Sequence, residues 1–202
     1  MSDAYGFLAP IYQPLSRLVF GPDLLNANRA FLDLSMGKKS LILGGGDGLA
    51  YRDWDRNFIG EYWDTSPAMA KIATRNLRKS GIEVNCGSWS GKGKFDVVFL
   101  PFILDSIPDA EISELILQIY KSLNPGDLVV LSDFFPPATF IQKALQQLMI
   151  TGFQLVARHQ RSDLPGLASF FDPKIWRLVT QKTWRKGWIQ ARVYEKINDS
   201  MD

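Results

Sequence analysis

Apolar residues fall along this chain in two patterns that alternate. Leu41, Ile42 and Leu43 form an unbroken apolar run, the mark of a parallel strand covered on both faces. Phe58 to Trp63 predicts a second strand, Ile82 to Cys86 a third, and Phe95 to Leu100 a fourth that Pro101 ends. Leu128 to Ser132 predicts a fifth, entered through the turn Asn124-Pro125-Gly126. Helical segments lie between them. A short helix is expected over Ala50 to Asp55. Thr65-Ser66-Pro67 opens another, with proline near its first position, that runs from Ala68 to Lys79 and stops before Gly81. Gly87 to Gly93 reads as a loop. Ala110 to Leu123 carries Ile112, Leu115, Ile116, Ile119 and Leu123 at helical spacing.

Such alternation predicts an α/β fold: a doubly wound, mostly parallel sheet of seven strands with right-handed crossovers. Ahead of it, Tyr12 to Leu34 reads as helices broken near Gly21-Pro22, an N-terminal helical cap. After Pro136-Pro137, a helix is expected from Phe140 to Met149. Phe153 to His159 and Trp188 to Lys196 are then expected as strands that pair into a C-terminal antiparallel hairpin. Between them, Arg161 to Arg185 is too long for a hairpin turn, and a helix from about Lys174 to Trp184 is expected there. The chain reads as one domain, 1–202: the cap at 1–36, a binding core at 37–135, and a C-terminal part at 136–202 with an aromatic insertion at 161–187. In an open sheet of this kind, ligands bind outside the carboxyl ends of the strands.

Composition narrows the class. Of 202 residues, 46% are hydrophobic and 22% charged, as in ordinary globular proteins. A formal charge of +2 gives no electrostatic reason to expect a nucleic-acid partner. The one cysteine, Cys86, cannot form an intrachain disulfide, and no thiol and imidazole cluster is present for a metal. The N-terminus lacks a basic segment followed by a long apolar one, and no apolar run reaches the ~18 residues of a spanning helix. The expectation is a cytoplasmic protein without stable membrane insertion, monomeric or homodimeric.

The candidate chemistry gathers at the strand ends. Gly44-Gly45-Gly46-Asp47-Gly48 follows the first strand directly, and glycines there permit a tight turn and close approach of backbone N–H groups to a ligand. Asp64 lies twenty residues after Gly44, at the end of the second strand, where a carboxylate can accept from both hydroxyls of a ribose. The competing role for Asp64 is an N-cap for the helix at Pro67, and Glu61 competes for the ribose. Asp105 and Asp133 follow the fourth and fifth strands. Either can act as a base, and Asp105 can instead cap the helix after Pro108. His159 is the only histidine. Phe170, Phe171, Trp176, Trp184 and Trp188 can floor an acceptor pocket or bury the insertion against the sheet. Arg177, Lys182, Arg185 and Lys186 interleave with them as a solvated face.

SLILGGGDG, EYWDTSPAMAKIA, FDVVFLPFILDSIPD and SLNPGDLVVLSDF together resemble the motifs of class I S-adenosylmethionine-dependent methyltransferases, over Ser40 to Phe134. Tyr5 to Gly21, with its Y-x-x-x-A-x-x-Y pattern ending at Tyr12, is similar to the opening helix of the ubiquinone/menaquinone-biosynthesis branch, which folds over the cofactor. The resemblance implies a Rossmann-like methyltransferase fold, S-adenosylmethionine as cofactor and a small-molecule acceptor held between the N-terminal helices and the aromatic insertion. It places Gly44, Gly45, Gly46 and Gly48 at the methionine part of the cofactor and Asp64 at its ribose. Thr65, Met69, Ser88 and Trp89 fall near the adenine, and Pro101 and Phe102 along the methyl-transfer channel. Tyr12 falls over the cofactor, with Asp105 and His159 as candidate catalytic residues. One departure is Ile42, where the family has an acidic residue two positions before the first glycine. It motivates the alternative of a non-catalytic S-adenosylmethionine-binding protein. The GGGDG loop is also similar to that of spermidine synthases, which makes an aminopropyltransferase a second alternative. A nicotinamide-dependent oxidoreductase shares the strand, loop and acid, but the G-x-G-x-G spacing and the T-S-P-x-M segment argue against it.

Overall fold

The computed structural model describes residues 20–157 and 165–197. Seven strands form one sheet: β1 (Lys39–Leu43), β2 (Ile59–Asp64), β3 (Gly81–Cys86), β4 (Val97–Pro101), β5 (Leu128–Phe134), β6 (Trp176–Trp184) and β7 (Ile189–Lys196). Their order is β3-β2-β1-β4-β5-β7-β6. The first five are parallel, and β7 pairs antiparallel with both β5 and β6. Helices α1 (Asp23–Arg29), α2 (Pro67–Asn76), α3 (Asp109–Ser122) and α4 (Phe140–Ala157) are the α-helices among the described residues, joined by short 3-10 turns. The doubly wound sheet with a terminal antiparallel pair is the fold the alternation predicts.

The central strands are apolar because both faces are covered. On one face, Leu41, Leu43, Val98, Leu100, Val129 and Leu131 pack with Ile112, Ile116 and Ile119 of α3. On the other, Ile42, Tyr62, Val97, Phe99 and Val130 pack with Tyr51, Trp54 and Ala73. α1 is tied down across the second face. Arg29 donates to the carbonyls of Leu49 and Ala50, Ser132 Oγ donates to Ala27 O, and Asp23 pairs with Arg185 at 2.7 Å. The strand order reverses between β1 and β4, which puts the ligand crevice at their carboxyl ends. Among the described residues, no helix is long and apolar enough to cross a membrane.

The C-terminal third differs from the pattern reading. Lys174 to Trp184 is not a helix: Trp176–Trp184 is the edge strand β6. It holds Val179, Thr180 and Thr183, whose branched side chains suit a pleated surface, and it has β7 beside it to complete its hydrogen bonds. Its length is almost wholly exposed, so no buried face constrains its period. Phe153 to Ala157, expected as strand, is instead the last turn of α4. The terminal hairpin is therefore β6–β7, turned by Arg185, Lys186 and Gly187 in left-handed conformations (φ 50°, 54° and 86°). The short helix expected at Ala50 to Asp55 is a 3-10 turn over Leu49–Tyr51. Tyr12, His159 and most of the expected cap lie outside the described residues.

Gly60 is a fixed point of the sheet. It pairs with Ser40 in β1, has φ +137°, and a Cβ there would lie 1.8 Å from the Ser40 carbonyl oxygen. Gly60→Ala is expected to lower the unfolding free energy by about 4 kcal/mol or more, since backbone would have to move. Gly126→Ala, at φ +91° but with open space around it, should cost only about 1–2 kcal/mol. Urea denaturation followed by tryptophan fluorescence separates the two.

Candidate functional site

Beyond Leu43 the chain turns through Gly44 (φ +69°), Gly45, Gly46 (φ +64°), Asp47 and Gly48 (φ +69°). Positive φ at three of these positions is what glycine permits without strain. The neighbours differ. A Cβ on Gly44 would lie 2.7 Å from Cδ1 of Ile103, and one on Gly45 2.6 Å from the Tyr62 hydroxyl. A Cβ on Gly46 would meet nothing within 4 Å. The first two glycines thus let the loop settle onto its neighbours, whereas Gly46 presents backbone to an open space.

β2 holds that loop from below. The Tyr62 hydroxyl donates to Gly46 O at 2.7 Å, and Gly46 N–H donates to Asp64 Oδ2 at 2.9 Å. Tyr62 and Asp64 are two residues apart on one strand, so they point to the same face and grip the same residue, Gly46, at its carbonyl and its N–H. Burial, and next the Asp64 charge, push the Tyr62 phenol well above its ordinary pKa, which keeps it a donor. The far side of the turn is closed by Asn76 of α2, which donates to Asp47 O at 2.8 Å.

Asp64 is buried, and its Oδ1 accepts from Ser66 N–H at 2.9 Å. The N-cap of α2 is Ser66, whose hydroxyl accepts from Met69 N–H, with Pro67 at the first position. The competing role for Asp64 therefore belongs to Ser66. Glu61 is engaged by the Trp63 indole N–H at 2.9 Å. Thr65 is exposed and Met69 half-buried at the start of α2. Beyond β3, Gly87 (φ +132°) has open space around it and Ser88 is exposed. Trp89 meets Phe95 edge-on, ring centroids 6.1 Å apart, and its indole donates to Lys92 O. Its ring thus takes part in packing.

Across the switch point, Pro101 ends β4 and Phe102 takes φ +53°, a costly conformation for a residue with a Cβ. The strain is held by Phe102 N–H donating to Ser132 O at 2.7 Å and by its ring packing on Phe134, centroids 5.2 Å apart. The bend sets Ile103 against Gly44 and winds Leu104–Ser106 into a 3-10 turn that holds Asp105. The cap position of α3 is Pro108, so Asp105 does not cap that helix.

Asp133, near the end of β5, is 0% exposed. Its Oδ1 accepts from Phe134 N–H at 2.7 Å, and its Oδ2 has no hydrogen-bond partner. Burial first, then the nearby Asp105 charge, raise its pKa well above the carboxylate range. The backbone N–H groups of Phe134, Asp105 and Leu104 oppose that shift. Sequence reasoning thus placed the glycine loop and Asp64 together but missed Tyr62 as the clamp. The available signal was its spacing of two from Asp64.

No family model and no curated protein matches this chain. Among solved structures it is similar to the mitomycin 7-O-methyltransferase MmcR, at 18% identity and TM-score 0.66, over 93% of this chain and 58% of that one. An O-methyltransferase family 2 protein from Planctomyces limnophilus, in complex with apigenin, aligns at 18% identity and TM-score 0.68, over 97% of this chain and 62% of that one. The pyocyanin biosynthetic protein PhzM aligns at 14% identity and TM-score 0.65, over 96% and 62%. The chain spans about six-tenths of the length of these proteins. The likeness is one of fold, the Rossmann-like sheet of class I methyltransferases.

Tyr62→Phe deletes one hydrogen bond and leaves the packing of the ring. It is expected to cost about 1 kcal/mol in urea denaturation. Gly45→Ala, which drives a Cβ into the ring edge and the hydroxyl of Tyr62, should cost more, and because the ring carbons at 2.6 Å and 2.8 Å remain, the double variant should recover little of the loss.

Proposed function

We propose that the protein is an S-adenosylmethionine-dependent methyltransferase that acts on a small-molecule acceptor. The observation that carries this reading is the pairing of a clamped glycine turn, open at Gly46, with the buried carboxylate of Asp64 at adjacent strand ends. The residues fit the cofactor. Asp64 accepts from the Gly46 and Ser66 N–H groups, one to each carboxyl oxygen, which fixes its carboxyl at the strand end where the ribose hydroxyls would lie. Gly44, Gly45, Gly46 and Gly48 would hold the amino-acid part, with Thr65, Met69, Ser88 and Trp89 about the adenine. Pro101 and Phe102 would line the path to the acceptor. When bound, the cofactor supplies an electrophilic methyl carbon whose bonding electrons depart with sulfur.

Ile42 bears on whether the site is intact. It is fully buried, in register with Tyr62, and part of the apolar core, so no charge is missing from a polar surface. Ordering of the loop, which the family's acidic residue would supply, falls to the Tyr62 hydroxyl and to Asp64. This supports an active enzyme over a protein that binds without turnover. The small molecules in the names of two similar structures, mitomycin and apigenin, support a small-molecule acceptor. Placement in the cytoplasm rests on the single exposed cysteine, Cys86.

Isothermal calorimetry should register S-adenosylmethionine or S-adenosylhomocysteine at micromolar affinity. Asp64→Ala should weaken it at least about tenfold, or about 1.4 kcal/mol, and NADH should not compete. Absence of binding by either ligand sinks the reading; displacement by NADH turns it toward a dinucleotide enzyme.

A further inference from the structure

The first turns of α4 face water with apolar side chains. Phe140 is 85% exposed, Ile141 71% and Leu148 69%, which places them among the most exposed large hydrophobic residues described. At ~100° per residue they fall within about 100° of arc, with exposed Ala144 between them, and so form one stripe. Fraying does not account for it. Thr139 Oγ1 accepts from Gln142 N–H at 3.3 Å, and Gln142 Oε1 accepts from Thr139 N–H at 3.1 Å, a reciprocal cap that fixes the helix start. On the inner side, Leu145 packs into the cluster of Phe20, Phe134 and Trp188 that Phe102 also joins. The helix is thus seated by one face while the other is left bare. Because α4 follows β5 directly, the stripe begins at the same end of the sheet as the glycine turn.

The charge around the stripe has one sign. No Asp or Glu occurs between Asp133 and Asp163, nor between Asp172 and Glu195. Lys143 stands exposed on α4 beside the stripe. Lys186 is exposed in the β6–β7 turn, which Gln142 ties to α4 by donating to Arg185 O at 2.7 Å. Arg185 is matched by Asp23, but neither lysine has an ion-pair partner among the described residues. That turn holds Arg185 and Lys186 at φ 50° and 54°, a costly conformation for residues with a Cβ. A second copy of this chain is a poor occupant for the face: a symmetric pair sets each lysine against cations of the same sign, with no acid on α4 to offset them. Apolar side chains flanked by free lysines suit the boundary between lipid phosphates and acyl chains.

We propose that this face of α4 is a docking surface for an anionic lipid bilayer, with Phe140, Ile141 and Leu148 entering the acyl boundary and Lys143 and Lys186 meeting the lipid phosphates. No helix among the described residues is long and apolar enough to cross a membrane, so the contact is peripheral, with α4 lying in the plane of the interface. Its residues are separate from those of the glycine turn, and vesicle binding therefore tests the surface apart from the methyl-transfer reading.

Co-sedimentation of the full chain with vesicles decides it. The wild type should bind vesicles of equimolar phosphatidylcholine and phosphatidylglycerol, bind phosphatidylcholine alone far more weakly, and release from the anionic vesicles as salt is raised. Phe140→Ser with Ile141→Ser should lower the partition at least about tenfold. Lys143→Gln and Lys186→Gln should each lower it about fivefold on anionic vesicles. All four positions are exposed, so the variants should keep the wild-type urea midpoint, and a loss of binding then reports on the surface and not on the fold. A wild type that stays in the supernatant, equal binding to both vesicle types, or an apolar double variant that binds like the wild type overturns the proposal. So does a lipid-free protein of twice the chain mass by light scattering that Phe140→Ser with Ile141→Ser returns to monomer, since the face would then be an interface between copies.

Discussion

The backbone of Gly46, bonded at its N–H and at its carbonyl from one strand, is the constraint on which the site depends. Tyr62 fixes its carbonyl and Asp64 fixes its N–H, and both side chains reach it because β1 and β2 lie parallel in one register. A shift of β2 by one residue would turn both side chains to the opposite face and leave the loop unheld. Gly60, at the other end of β2, permits the close approach to Ser40 that the pairing requires. The strand pairing that builds the core therefore also shapes the binding turn.

A second organising feature lies across the switch point. Phe102 bends the backbone sharply as it leaves β4, which lowers Ile103 onto Gly44 while its N–H bonds to Ser132 O of β5. One strained residue thus ties the glycine loop of β1 to the ends of β4 and β5. The strain is kept because Phe102 bonds to Ser132 and stacks among Phe20, Phe134 and Trp188, so relaxing it would cost packing. α1 and the β6–β7 turn hold this aromatic group from outside, through Asp23 and Arg185. Gln142 of α4 also donates to Arg185 O.

Legibility in the sequence followed burial. The five parallel strands were readable because covering both faces demands continuous apolar runs such as Leu41 to Leu43, and the glycine turn and Pro67 punctuate them. β6 was not readable: at an edge, nearly all its side chains are in water, so its period carried no core signal, and the length of the segment from Arg161 to Arg185 suggested a helix within it. Phe153 to Ala157 misled in the same way, since a short apolar run fits strand or helix until a neighbour is present. Trp89, expected near an adenine, meets Phe95 edge-on and remains partly exposed. Ile42, read as a defect in the motif, is an ordinary core residue once Tyr62 is seen beside it.

The sequence by itself determined the alternation of elements, the positions of the turns and the pairing of Gly44 to Gly48 with Asp64, because local sterics and apolar periodicity act within a few residues. Only the tertiary structure decided that Tyr62 clamps the loop, that β6 joins β7 at the sheet edge, and that Asp133 is wholly buried. Those facts depend on which distant segments meet, and on whether water remains between them, which no local pattern of residues records.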